Sequence, residues 1–253
     1  MKKIKKGQEP NSLSTYKSTH PNATWEEFSK KRNKYIEVKW QLISDQNGLC
    51  AYCEIDLKQT SSPTPLDDFR VEHFIPKSQN PPPNWALEWN NLIGVCHGGR
   101  QRGVVDENQR FGDASCDACK GGENLQGIIL NPLDLPVDRI FRYELTSLDE
   151  KGKMMVDLQN CPQEIQAQAQ HSIDKLQLNV ERLRRMRAAV IESLIEQISI
   201  MTSSGKEISE VMETLLRSQL RKSNDSWPAF FSTIRCFFGE EAECYLSSIN
   251  YDG

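Results

Sequence analysis

Two groups of side chains in this sequence have the types and spacing of chemical sites. The first is sulfur. Cys50 and Cys53 stand in "LCAYCE", a turn that aims two thiolates at one ion, and tetrahedral zinc takes four such ligands at about 2.3 Å. Candidates for the second pair are Cys96 in "NNLIGVCHGG" and either Cys116 or Cys119 in "SCDACKGG". The second group is an acid directly followed by a histidine, Glu72-His73 in "VEHFIPKS", with Pro76 three residues on. Such a pair is either an accident of the surface or the working end of a metal-dependent site. The dipeptide alone does not decide.

Five of the eight cysteines fall between 50 and 119. Clustered cysteines in a reducing compartment point to metal rather than disulfides. Cys161, Cys236 and Cys244 are scattered and read as small apolar groups. No apolar run reaches the roughly 18 residues of a membrane span. "MKKIKKGQEP" is charged but has no apolar stretch of the kind a secretory signal carries. Both points place the protein in the cytoplasm, with no membrane partner. The formal net charge of −4 excludes a uniformly basic, nucleic-acid-coating molecule. Residues 1–45 nevertheless hold ten Lys and Arg against five acids, so a basic arm either meets phosphates or partners or is a solvated tail.

Three stretches must position these groups. In residues 1–48 a basic arm leads to a helix: Thr24 and Glu27 form a capping box, and Phe28, Tyr35, Val38 and Leu42 recur at helical spacing up to Gly48. Residues 49–135 are rich in Pro, Gly, Asn and Cys, with loops at "SSPTPLDD" and "NPPPNW". So little hydrocarbon suggests that metal takes the place of a core there. In residues 136–253, "FRYELTSLDEKGKMMVDL" reads as a hairpin turning at Lys151-Gly152. An apolar period of three or four follows from Pro162 to Met201, with Asn179 as a cap inside it. Further helices fit Glu207–Leu220 and Trp227–Phe238, the latter with Ser226 as N-cap.

The order of these pieces resembles the HNH endonucleases: Cys50/Cys53, then Glu72-His73 with Pro76, then Asn91-Leu92 with Cys96, then Cys116-Asp117 with Lys120. The narrower likeness is to the PtuB proteins of Septu anti-phage systems and their retron-associated relatives. It is carried by "KKIKKGQEP", "EHFIPKS", "WNNLIGVCHG", "CDACKGG", "LNP" and "LQLNVERLRRMR", and runs to about residue 190. It implies an α+β, helix-rich fold: a zinc-braced ββα-metal finger between an N-terminal helix and a C-terminal helical region that docks a partner. Two departures stand out: 19 residues separate Cys96 from Cys116, and Asp117 follows the fourth cysteine. Family order favours Cys116 over Cys119, because Asp117-x2-Lys120 then falls in place.

On this resemblance the chain is a metal-dependent endonuclease acting on nucleic acid in anti-phage defence. Its partners are a PtuA-like ATPase and, in some systems, a retron reverse transcriptase and its DNA. His73 is the general base, since imidazole titrates near neutrality. Glu72 and Asp117 offer hard oxygens to Mg²⁺ or another divalent cation. Asn91 braces the loop that carries His73, while Cys50, Cys53, Cys96 and Cys116 hold a structural Zn²⁺. Regular alternation would send Glu72 and His73 to opposite sides, so a twisted or bulged strand end is expected. His97 is a weaker candidate ligand. Arg100, Arg102 and Arg110 read as phosphate contacts or solubilising charge, and Arg182, Arg184, Arg185 and Arg187 as a helix surface for nucleic acid, a partner or solvent. The alternative is a non-catalytic zinc module, which would keep the cysteines but have no use for Glu72, His73, Asn91 and Asp117 together.

Overall fold

The structure is a computed structural model, and it describes residues 1–57, 69–79, 83–99, 114–136 and 139–253. The segment "SSPTPLDD", the first three residues of "NPPPNW", and Arg100, Arg102 and Arg110 lie outside the described residues.

The N-terminal arm is not a solvated tail. Met1, Lys2 and Ile4 are buried, the Ile4 amide donates to the Pro132 carbonyl, and Lys6 Nζ donates to the Leu92 carbonyl at 2.8 Å above the Trp89 ring. Next come α1 (Asn11–Thr19), α2 (Trp25–Ser29) and α3 (Arg32–Asp45). The expected capping box forms: the Glu27 amide donates to Thr24 Oγ1, and the Thr24 amide donates to the Glu27 carboxylate. The helix it starts is short, however, and the single predicted helix is split by a turn at residues 30–31. The unforeseen α1 begins after Pro10 and buries Leu13 and Tyr16 in the same apolar cluster as Phe28. Past α3, Asn47 and Gly48 turn the chain with positive φ of 52° and 82°. This is a conformation that costs glycine little, and a Cβ at Gly48 would meet Ser226 Oγ at 2.4 Å.

Strands β1 (Phe69–His73) and β2 (Leu92–Cys96) pair antiparallel, from Phe69↔Cys96 to His73↔Leu92. The short helix α4 (Asp117–Lys120) follows. Strands β3 (Phe141–Tyr143) and β4 (Met154–Val156) form the expected second hairpin. Gly152 in its turn has φ 77°, and a Cβ there would lie 2.3 Å from the Arg184 carbonyl. Five helices complete the chain: α5 (Gln166–Lys175), α6 (Glu181–Ser203), α7 (Ile208–Gln219), α8 (Phe231–Phe238) and α9 (Glu240–Ser248). No helix among the described residues is long and apolar enough to cross a membrane.

Several local expectations fail for tertiary reasons. Asn179 does not cap α6; its amide bonds both the N–H and the C=O of Met154, closing the edge of β4. The helix predicted from Trp227 begins only at Phe231, because the Trp227 amide is taken by the Asn47 carbonyl and the Phe230 amide by the Glu54 carbonyl. Helix α9 was not anticipated. Of the arginines on α6, Arg187 is core, 1% exposed and donating to the Leu178 and Gly152 carbonyls. Arg182 reaches Ser115, Arg184 reaches the Asp149 carbonyl, and Arg185 pairs with Glu181. Nor does metal replace a core in 49–135. Tyr52, Leu57, Phe69, Ile93, Val95, Leu125 and Ile129 from this stretch are buried. They share one apolar cluster with Ile4 and Ile43 on one side and Phe141, Leu178 and Phe230 on the other.

Candidate metal centre and active site

The sulfurs of Cys50, Cys53, Cys96 and Cys116 all lie within 4.8 Å of one another and are buried. They arrive on three devices. Cys50 and Cys53 flank a tight turn in which the Glu54 amide donates to the Cys50 carbonyl and Glu54 takes φ 64°. Cys96 is the last residue of β2, and Cys116 sits at φ 57° immediately before α4. Three sulfur separations are 3.6, 3.8 and 4.0 Å. A tetrahedron with metal–sulfur bonds of about 2.3 Å has edges of about 3.8 Å, so the set fits zinc. The amides of Cys96 and Gly98 donate to the sulfurs of Cys50 and Cys96, as thiolates require. This is the one grouping of three or more such ligands among the described residues, and Cys116 rather than Cys119 completes it. His97 is outside the group and accepts from Arg70 Nε at 3.3 Å. Of the scattered cysteines, Cys161 is buried and Cys236 half-buried, but Cys244 is exposed rather than packed.

At the other end of the hairpin the register runs unbroken to His73↔Leu92, so there is no bulge. The strand stops directly afterwards because Asn91 takes over the ladder. Its carbonyl accepts the Phe74 amide at 3.0 Å, its Oδ1 accepts the Ile75 amide at 2.7 Å, and its Nδ2 donates to the Ile75 and Trp85 carbonyls at 2.8 Å. Asn91 is 2% exposed and fully used. Glu72 and His73 leave this edge on opposite sides, as period-two alternation demands.

Glu72 is buried close to Asp117, and Lys120 donates to it. Burial first, then the like charge of Asp117, push its carboxyl up to about 8, with Lys120 opposing. A buried carboxyl beside a second, half-buried one holds its proton more tightly. Asp117 opens α4, one residue after Cys116, so one turn of chain serves both sites. Arg70, two residues before Glu72 and on the same strand face, lies 3.7 Å from Asp117.

His73 turns toward α2. Its Nε2 is 3.1 Å from the Ala86 carbonyl, and its ring meets Trp25 edge-on at 4.8 Å between centroids. A carbonyl only accepts, so Nε2 carries the proton and the lone pair sits on Nδ1. Burial lowers its pKa to about 4, so the imidazole is neutral at physiological pH. The ring is thus free to accept a proton, but as a weaker base than the near-neutral imidazole expected from the sequence. The sequence reading did not single out Ala86 and Trp25 as the groups that set this tautomer and ring plane, because their contacts are purely tertiary. It could have found Arg70, since counting back two along the strand from Glu72 lands on it.

No protein-family model matches the chain. Among curated proteins it is 33% identical over 214 residues to the Retron Ec83 putative HNH endonuclease of Escherichia coli, covering 76% of this chain and 79% of that protein. This chain belongs to the HNH endonuclease family of anti-phage systems. It is also 31% identical over 125 residues to the Septu protein PtuB of Bacillus thuringiensis, covering 48% of this chain and 39% of that protein. For this HNH family member the matched length takes in far more than a metal-binding turn.

Proposed function

We propose that this chain is a metal-dependent endonuclease that hydrolyses nucleic-acid phosphodiester bonds as the effector of an anti-phage complex. The observation that carries the reading is the fixed tautomer of His73, one residue from a carboxyl that is buried beside Asp117. The β1–β2 hairpin with α4 serves as the ββα-metal finger. Glu72 and Asp117 would hold a divalent cation, Mg²⁺ being suited to their hard oxygens; when bound, it would neutralise the phosphate and the leaving oxyanion.

His73 Nδ1 accepts the proton of the attacking water, while Ala86 steadies the imidazolium through Nε2–H. Trp25 and the Asn91-braced segment hold the ring in place and shield it from bulk water. Asn91 acts on the backbone after His73 rather than on substrate, since its amide is already spent on Ile75 and Trp85. The cysteine cluster takes no part in the chemistry. Held as Zn²⁺ thiolates, it anchors the end of β2 to the start of α4, and so sets where Asp117 stands relative to Glu72. The family resemblance implies an ATPase partner, with α6–α9 as the docking region, and in retron systems a reverse transcriptase and its DNA.

The test is cleavage of plasmid DNA, single-stranded DNA and cellular RNA by the chain co-purified with its ATPase, with Mg²⁺. The expected result is cutting that His73→Ala reduces by about 10²–10⁴-fold with zinc content unchanged. Equal cutting by both proteins would remove His73 from the mechanism. Cutting by neither, with zinc retained, would favour a non-catalytic zinc subunit.

A further inference from the structure

Lys120 is the last residue of α4, and its side chain is 1% exposed. Its ammonium donates to Glu72 Oε1 and, at 2.7 Å, to the His73 carbonyl. A buried ammonium is stable only where partners replace its water. Here those partners belong to the two consecutive residues whose side chains diverge toward opposite sides of the strand. One atom therefore ties α4 to both. Arg70, the other cation near the carboxyl pair, has a 45% exposed side chain and stands 3.7 Å from Asp117, so solvent screens it far more.

We propose that Lys120 is a positioning residue that keeps a resident positive charge on Glu72, a charge with which the divalent cation must share that carboxylate. The inference rests on the reading above of Glu72 and Asp117 as the cation's ligands. Lys120 engages Oε1 of Glu72, so the ion would take the other oxygen, on the side of Asp117. It also fixes the carbonyl, and with it the backbone, of His73. The consequence has two signs. A fixed positive charge beside the ion weakens ion binding, whereas the fixed carboxylate and strand end favour turnover. A lysine that merely held the fold together would move both properties in the same direction when removed.

The experiment titrates the zinc-loaded full chain with Mn²⁺, read by electron paramagnetic resonance and calorimetry, with Asp117→Asn identifying the signal of this site. Lys120→Met keeps the length and removes the charge. The Mn²⁺ dissociation constant is expected to fall by about tenfold or more, while cleavage by the partner-bound protein slows by at least about tenfold. Should Lys120→Met lose zinc, Lys120→Gln, which keeps a donor for the His73 carbonyl, carries the same expectation. A folded, zinc-retaining variant that binds Mn²⁺ equally or more weakly overturns the proposal, leaving the carboxyl-pair reading intact. Absence of any Mn²⁺ signal sensitive to Asp117→Asn in either protein overturns that reading, and the proposal with it.

Discussion

The two ends of the β1–β2 hairpin are built on opposite principles. At the Phe69↔Cys96 end, four soft ligands of one type converge on one point, all buried, with backbone amides donating to the sulfurs of Cys50 and Cys96. At the His73↔Leu92 end the groups are of four kinds: two carboxyls, one ammonium, one neutral imidazole and one fully committed amide. A symmetrical, closed ligand shell is what a structural ion needs. An asymmetric set, in which acid and base are turned to different sides and only partly neutralised, is what a reaction needs. Cys116 and Asp117 belong one to each end although they are neighbours in the chain, so geometry at the first end transmits directly to the second.

Breaking the sulfur end should have the largest effect. Cys116→Ser is expected to take zinc from one equivalent to none by metal analysis. It should also lower the melting temperature by about 10 °C or more, since in a chain of this size each kcal/mol lost is worth about 2–4 °C. A variant that keeps its melting temperature without zinc would show that the shared apolar core suffices. At the other end, Asn91→Ala removes three side-chain bonds to buried backbone groups. It should cost about 2–4 kcal/mol in urea unfolding and slow cleavage without altering zinc content. A loss of activity without any loss of stability would instead assign Asn91 a direct contact with substrate.

The smallest effect concerns Lys6, which backs the carboxyl end through Leu92 and Trp89. Burial lowers its pKa to about 7, with Asp45 opposing. Between that value and its unfolded value near 10.5, the unfolded chain binds more protons than the folded one. Stability contributed by Lys6 therefore rises with pH across that window and is lost on acidification toward 7. The stability difference between wild type and Lys6→Met should grow in favour of wild type from pH 7 to pH 9. A flat difference would mean that Lys6 stays charged in the fold.

Much of the local architecture was legible beforehand. The Thr24 capping box, the hairpin turning at Gly152 and the amphipathic stretches that became α5, α6 and α7 follow from near-neighbour rules, where cause and effect lie within a few residues. What failed did so through distant partners. Ser226 reads as a cap, yet the preferred partners of Trp227 and Phe230 are Asn47 and Glu54, far away in sequence. Arg187 belongs by composition on a surface, and only the carbonyls of Leu178 and Gly152 make its burial tolerable.

The same division holds for the candidate sites. Residue types and their order by themselves determined that cysteines and an acid–histidine pair occur in HNH sequence order, because ligand chemistry restricts which side chains serve. Tertiary structure decided that Cys116 and not Cys119 joins the sulfur cluster, since a positive φ at Cys116 and its place beside Cys96 are not encoded in spacing alone. It also decided that Lys120 reaches both Glu72 and His73, and that the Ala86 carbonyl selects the histidine tautomer. Those outcomes depend on burial and on the direction of single hydrogen bonds, quantities that exist only once distant segments have packed.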